Sequence, residues 1–274
     1  MKAILIVMRK EVQEGLRNRW VLATTLLMAA LALTLTFLGS APTGNVGAGA
    51  LDVVIVSLSS LTIFLVPLIA LLISHDAIVG EMERGTMPLL LSYPVGRWQV
   101  LFGKFLGHLA ILSFATTLGY GAAALALGAT GTVIDAASGS AFLSMIASSI
   151  MLGAIFVAIG YLVSAVVGER STAGGIAIGV WLLFVLIYDM ALLGMLVVDQ
   201  GRTVTADLLN VLLLLNPTDA YRLLNLGGHA GALSGMGGAA ESATLGPATL
   251  LAALAIWIVV PLSAATLIFS RKEL

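Results

Sequence analysis

The chain has 274 residues, 59% of them hydrophobic and only 10% charged, with 13 Lys and Arg against 14 Asp and Glu. Soluble domains carry about 25% charged residues, so a mean hydropathy of +1.08 excludes an ordinary water-soluble core and points to a lipid bilayer. No cysteine is present, which removes disulfides, thiolate metal sites and thiol catalysis together.

The first segment, Met1 to Arg19, is amphipathic. Met1, Ile4, Leu5, Met8, Val12 and Leu16 recur at intervals of three and four residues, with Lys2, Arg9, Lys10, Glu14 and Arg17 elsewhere around the wheel. This spacing predicts a helix lying in the inner headgroup layer. About twenty residues precede the first apolar run, and Pro42 follows the one candidate cleavage site, so the run is expected to stay in place as a span.

Six apolar stretches follow: Trp20 to Leu38, Val53 to Ser74, Phe105 to Leu127, Ala141 to Val167, Gly174 to Val198 and Thr249 to Ser270. Each reaches across a hydrocarbon core of about 30 Å at about 1.5 Å per residue. With the N-terminus inside, all but Arg202 and Arg222 of the 13 basic residues fall on the inner side. Basic residues of short loops are retained in the cytoplasm, so both termini are expected there and the number of spans is even.

The inner loop from His75 to Lys104 is too long for a turn. Ile78 to Arg84 continues the second span; Gly85 accepts the left-handed backbone of a helix end; Thr86 caps a new helix with Pro88 in its first turn. The run Leu89, Leu90, Leu91 then needs a surface to pack on, and Pro94, Val95 and Gly96 turn the chain towards Arg97 and Trp98. Short cytoplasmic helices of this sort suit a soluble partner. His75, Asp76 and Glu81 are the nearest approach to a metal or acid/base cluster and are read instead as a solvated face, with Glu81, Glu83 and Arg84 as partner contacts. His108, near the inner end of the third span, is read as interfacial.

In the fourth and fifth spans, Gly153, Gly160, Ser164 and Gly168, then Gly174, Gly175 and Gly179, mark close helix approach within a subunit or across a dimer. Asp189 lies inside the fifth span, where an exposed carboxylate costs about 2.5–3.5 kcal/mol. Three readings compete: a proton or cation relay, a lining residue of a substrate path, and a structural group paired near the outer surface. Met190 and Met195 beside it would suit Cu(I), although methionine in an apolar helix also serves simply as packing.

The segment from Asp199 to Ala248 is the large outer region. Its first half is apolar but broken by Asn216 and Pro217 and charged at Asp207, Asp219 and Arg222, which predicts a re-entrant or interfacial helix pair. Its second half is glycine-rich, with His229 isolated in it.

No Gly-x-x-x-x-Gly-Lys-Ser/Thr element exists: Gly103-Lys104 is followed by Phe105. No Gly-x-Ser-x-Gly elbow or His-Glu-x-x-His motif appears either, and no catalytic residue, bound cofactor or protein-held metal is expected. If ATP drives this protein, another subunit binds it.

The amphipathic start, the six spans with both ends inside, Glu81-x-Glu83-x-Gly85-Thr86 followed by Leu89-Leu90, Pro94, Arg97 and Gly103-Lys104, and the late Asn216-Pro217 together resemble the ABC type-2 permeases over the whole chain. The stretches HDAIVGEMERGTMPLLLSYPVGRW and NPTDAYRLLNLGG and the terminal RKEL look most like the membrane subunit of the ABC complexes that mature the copper centres of nitrous oxide reductase. The resemblance implies an all-α exporter fold in the bacterial inner membrane, a single transmembrane domain with a cytoplasmic coupling helix, and a homodimer. It implies a pair of cytoplasmic ABC ATPase subunits that carry ATP and Mg, a periplasmic β-helix protein, and a copper chaperone acting in concert. No nucleic acid is implied.

On that footing His75, Asp76, Glu81, Glu83, Arg84, Gly85, Thr86, Pro94 and Arg97 are expected to couple to the ATPase. Asp189, Met190 and Met195 form the candidate pathway, and Asn216, Pro217, Asp219 and Arg222 the contact to the periplasmic partner. The spans lack the paired Cys, Met or His of a copper pump. Export of a small sulfur species and transmission of ATPase motion without a conducted solute therefore both stay open. The rival class is a secondary transporter using Asp189; a third is a membrane anchor for a periplasmic protein.

Overall fold

The computed structural model describes residues 2–17, 19–38, 50–131, 136–199, 204–226 and 245–272. Pro42, Arg202, the glycine-rich stretch 227–244 with His229, and Glu273-Leu274 lie outside the described residues. Among the described residues the chain is all helix and turn, with no strand.

The first two helices, α1 (Lys2–Arg17) and α2 (Arg19–Leu38), meet at a sharp bend of 68°. The spans that follow are α3 (Ala50–Ser74), α6 (Arg97–Ala129) and α7 (Ala136–Val166), with the short helices α4 (Val79–Glu83) and α5 (Thr86–Leu91) between the first two. The fifth span is composite: α8 (Arg170–Leu182), a π-helical turn (Leu183–Ile187) and α9 (Tyr188–Asp199). The outer pair α10 (Ala206–Leu214) and α11 (Pro217–Leu226) leads to the final span α12 (Pro247–Arg271). Five helices are long and apolar enough to cross a membrane, and six if the bent α1–α2 pair counts as one span.

The centre of the bundle is α7. Its apolar window is 67% buried, because α3, α6, α11 and α12 all pack on it, whereas the fifth span is 17% buried and presents most of its surface outward. In lipid the backbones must approach closely to gain dispersion energy, and small residues permit this. A Cβ at Gly160 would collide with Ser74 Oγ, and one at Gly153 with the Leu112 side chain, so these two expected positions hold α7 against α3 and α6. Gly175 and Gly179 meet nothing within 4 Å and lie on the open face of the fifth span.

The same device seats α1. A Cβ at Gly103 would lie 2.7 Å from Val7 Cβ, and one at Gly107 2.5 Å from Glu11 Cβ, so two glycines one turn apart on α6 form the groove that receives α1. The stripe expected to enter lipid is therefore divided. Ile4, Met8 and Val12 are half-buried and Leu5 and Leu16 point outward, while the residues buried against α6 are Val7 and Glu11, which the stripe does not include.

The inner ends of three spans are joined by side chains. Arg97 Nη1 donates to the carbonyls of Phe269 (3.1 Å), Ser270 (3.0 Å) and Lys272 (2.7 Å) where α12 ends. Lys272 Nζ in turn donates to Ala165 O (3.0 Å) and Val167 O (2.7 Å) at the end of α7.

Candidate functional site

The inner elbow forms as its residues predict, with one correction. Gly85 has φ +67° and is itself the residue preceding α5; Thr86 is the first helical residue, and its hydroxyl turns back to Glu81 O at 3.2 Å. Thr86 therefore does not cap, because the left-handed glycine has already redirected the chain. Ser164 Oγ of α7 accepts from Ile78 N and Val79 N, both at 3.0 Å, satisfying the start of α4. Thr86, Leu89, Tyr93 and Pro94 are exposed, with Leu89 at 67% and Tyr93 at 68%, and Met87 anchors α5 in the core.

His75, Asp76 and Glu81 go to different partners. His75 Nδ1 lies 3.2 Å from Leu71 O and 3.1 Å from Leu72 O. Asp76 pairs with Arg170 of α8 at 2.9 Å, and Glu83 accepts from Arg170 N at 2.6 Å. Glu81 faces inward: Lys104 Nζ lies 2.8 Å from Glu81 Oε1 and 2.7 Å from Glu11 Oε1. Arg84 is exposed beside this cluster, and Arg97 is engaged with the end of α12.

Lys104 thus ties α1, α4 and α6 together from a buried position. Burial pushes the Glu11 carboxyl up, but the basic groups around it, Lys104 foremost, together outweigh burial and hold that carboxyl below its ordinary value. His108 completes the group, 3.7 Å from Glu11 Oε2 and 2.8 Å from the Tyr161 hydroxyl. His108 thus lies inside the bundle, where Tyr161 of α7 offers it a buried partner. Glu11 carried no signal in the sequence: one carboxylate on a basic helix reads as surface until its facing lysine is known.

The outer cluster is built on the π-helical turn. A π turn disturbs the i→i−4 ladder and leaves carbonyls seeking donors. Phe184 O accepts from Asn216 Nδ2 at 2.9 Å and from Thr218 Oγ1 at 3.1 Å. Phe184 lies midway along the 30-residue fifth span, so the α10–α11 corner reaches halfway along it, as a re-entrant pair does. The buried end of α10 is satisfied too, by Tyr188 Oη to Leu212 O (2.7 Å) and Trp257 Nε1 to Leu214 O (3.1 Å).

At this corner Arg222 is shared by two carboxylates, Nη2 to Asp189 Oδ2 at 2.6 Å and Nη1 to Asp219 Oδ1 at 2.5 Å. Asn216 Nδ2 adds a 3.0 Å bond to Asp219 Oδ2. Burial raises the Asp219 carboxyl to about 7; Arg222 opposes this and the neighbouring Asp189 reinforces it. Asn216, Pro217 and Asp219 are buried and Arg222 is half-buried, so the side chains expected to meet a periplasmic partner face into the subunit. Met190 is 74% exposed and Met195 also lies outward, so neither lines a path inside the subunit with Asp189. Among the described residues no group of three or more His, Asp or Glu side chains could hold a metal ion.

Residues 5–274 match the ABC-2 family transporter protein profile. The chain is 46% identical over 276 residues, covering all of both proteins, to the "Probable ABC transporter permease protein NosY" of Pseudomonas aeruginosa. It is 47% identical over 275 residues, 99% of each, to the protein of the same description from Stutzerimonas stutzeri. A helical bundle with five to six apolar spans and a full-length family match leave one assignment: the chain belongs to the ABC-2 transporter family, as a multi-pass, itself non-catalytic permease subunit.

Proposed function

We propose that this permease carries motion from a separate cytoplasmic ABC ATPase (NosF-like) to a periplasmic β-helix partner (NosD-like) for maturation of the nitrous oxide reductase copper centres. The observation that carries the reading is the fifth span. At its inner end Arg170 is held by Asp76 at 2.9 Å and by Glu83 at 2.6 Å; from its midpoint outwards Phe184 O holds Asn216 and Thr218, and Asp189 holds Arg222 at 2.6 Å. A push on the elbow is thereby delivered to α11 by one rod. The exposed Thr86, Leu89 and Tyr93 on and beside α5 receive the ATPase, and Glu81, bonded to Lys104, keeps the elbow on α6. The open face of the fifth span, with Gly175 and Gly179, packs on the mate in a homodimer whose termini are cytoplasmic in the inner membrane.

The resemblance leaves the cargo as a sulfur species, copper, or none. The outward set of Met190 and Met195 supports the mechanical form, since it puts neither of these thioethers on a path within one subunit. The test is a mild-detergent pull-down of the tagged chain from cells producing the reductase, with a hydrolysis-dead ATPase as the second arm. The reading expects the ATPase and the β-helix protein in the eluate and no matured reductase in the second arm. Normal maturation with the dead ATPase, or solute transport by this chain alone in liposomes, would sink it.

A further inference from the structure

Tyr221 of α11 is fully buried where α11 meets α7 and α3. A phenol hydroxyl is costly in an apolar interior unless a hydrogen-bond partner meets it. Its oxygen lies 2.9 Å from Ser149 Oγ of α7. Ser149 has one hydroxyl hydrogen, which goes to Met145 O at 2.6 Å, so Tyr221 donates and Ser149 accepts. One turn along α11, Asn225 repeats the contact. Its Nδ2 donates to Tyr221 O at 2.9 Å, while its Oδ1 accepts from Ser148 Oγ at 3.0 Å. Two successive residues of α7 thus hold two residues of α11.

The α3 side is looser. The Ser59 and Thr62 hydroxyls both act on the Tyr221 hydroxyl. Thr62, however, donates to Leu58 O at 2.7 Å and lies 2.6 Å from Tyr120 Oη of α6, and Ser59 Oγ is buried with no hydrogen-bond partner among the described residues. The closed contact of Tyr221 is therefore the one to α7, the most buried of the spans. The start of α11 belongs instead to the fifth span, because Asn216 and Thr218 bond Phe184 O, and Arg222 reaches Asp189 through a long side chain that can follow a rotation. A helix of ten residues held in this way can swing but not slide.

We propose that Tyr221 is a positioning residue for the transmission of motion: its bond to Ser149, backed by Asn225 on Ser148, is the pivot about which the fifth span swings the Asn216 end of α11. The proposal rests on the mechanical reading given above. Without the pivot, the same pull carries α11 along with the fifth span, and no turn is produced at the outer corner.

The test uses the full-length chain in cells that produce the ATPase and the reductase. Tyr221→Phe keeps the ring, removes one hydroxyl and leaves Ser149 donating to Met145 O. The ATPase is expected to co-purify and to hydrolyse ATP at the wild-type rate, while matured reductase per folded permease falls about fivefold, the order of one buried hydrogen bond. Because the chain has no cysteine, a covalent pivot can be installed as Ser148→Cys with Asn225→Cys. In the Tyr221→Phe background the oxidised pair should restore maturation and the reduced pair should not, a rescue that a merely stabilising tyrosine would not show. Wild-type maturation in folded Tyr221→Phe would overturn the proposal, as would an oxidised pair that forms and restores nothing. Loss of maturation on oxidising the pair in the otherwise wild-type chain would do so too, since α11 must then slide on α7. If Tyr221→Phe does not fold, Ser149→Ala is expected to show the same fivefold loss, and wild-type maturation in it overturns the proposal. Maturation that persists with a hydrolysis-dead ATPase would remove the mechanical reading itself, whereas ATP-dependent maturation that ignores Tyr221→Phe removes the pivot alone.

Discussion

Arg222 reaches from α11 to Asp189 in the fifth span, 2.6 Å from Nη2 to Oδ2, and closes the outer corner of the subunit across 33 residues of sequence. The pair supplies the partner that an intramembrane carboxylate requires. Asp189→Asn is expected to lower stability in detergent by about 3 kcal/mol, the order found when one partner of a buried pair is removed. Asp189→Asn with Arg222→Gln is expected to lose less than the sum of the two single losses, since each single variant already breaks the same bond, while Asp219 lacks its cation wherever Arg222 is replaced. Thermal unfolding of the single and double variants measures the coupling; additive losses would show that the two side chains act independently.

The inner cluster depends on Lys104 more than on any other charge. Lys104→Met leaves Glu11 and Glu81 buried without their cation and is expected to cost about 3–5 kcal/mol. Lys104→Arg should retain more of the stability, within the limits of a bulkier head. Yield of folded chain after size exclusion reads both.

Glu11 gives that cluster a pH dependence. Its carboxyl is held below its ordinary 4.5 in the folded chain, so the stability it contributes is complete above about pH 4.5 and is lost as pH falls through the depressed value. Limited proteolysis of α1 should accelerate only on that acid side. Glu11→Gln should remove the dependence.

Asp219 behaves in the opposite sense. Burial raises it from 3.8 to about 7, so the folded chain holds a proton that the unfolded chain releases, and stability falls as pH rises from about 4 towards 7 before levelling off. Hydrogen exchange in α11 is expected to be slower at pH 5 than at pH 8. In Asp219→Asn the two rates, corrected for intrinsic exchange, should converge.

The groove for α1 is sensitive to single methyl groups. Gly107→Ala sets a carbon 2.5 Å from Glu11 Cβ, and Gly103→Ala sets one 2.9 Å from the Ile4 carbonyl, where backbone must shift. Each is expected to cost about 1–3 kcal/mol by overpacking. A spin label on α1 and another on α6 would report the separation; an unchanged distance distribution would show that the groove yields elsewhere.

On the proposed ATPase face, Leu89→Glu or Tyr93→Glu should leave the fold intact, because both side chains are exposed. Co-purification of the ATPase is expected to fall about tenfold, about 1.4 kcal/mol of contact. Retention at the original level would move the docking surface away from α5.

The spans were legible because length and hydrophobicity suffice for a helix in lipid, and the α10–α11 pair because Asn216 and Pro217 interrupt an apolar run. The sites were less so, for a physical reason: each depends on a partner distant in sequence. Glu81 reads as solvated until Lys104 is seen beneath it, and Asn216 and Asp219 read as outward until the Phe184 carbonyl is found open. LFVLI carries no local mark of a π turn, since what stabilises it arrives from Asn216 and Thr218. The wheel of α1 located an amphipathic helix but not its seat, which is written in the glycines of α6.

The clasp of Arg97 and Lys272 around the ends of α7 and α12 bears on biogenesis. The ribosome delivers α6 and α7 long before α12, so the carbonyls of Ala165 and Val167 await Lys272 throughout translation of the intervening chain. Earlier segments can insert, yet these ends cannot lock until the final helix arrives. Nascent chains truncated before Pro247 should therefore remain substrates for membrane quality-control proteases even when every preceding helix is correctly threaded.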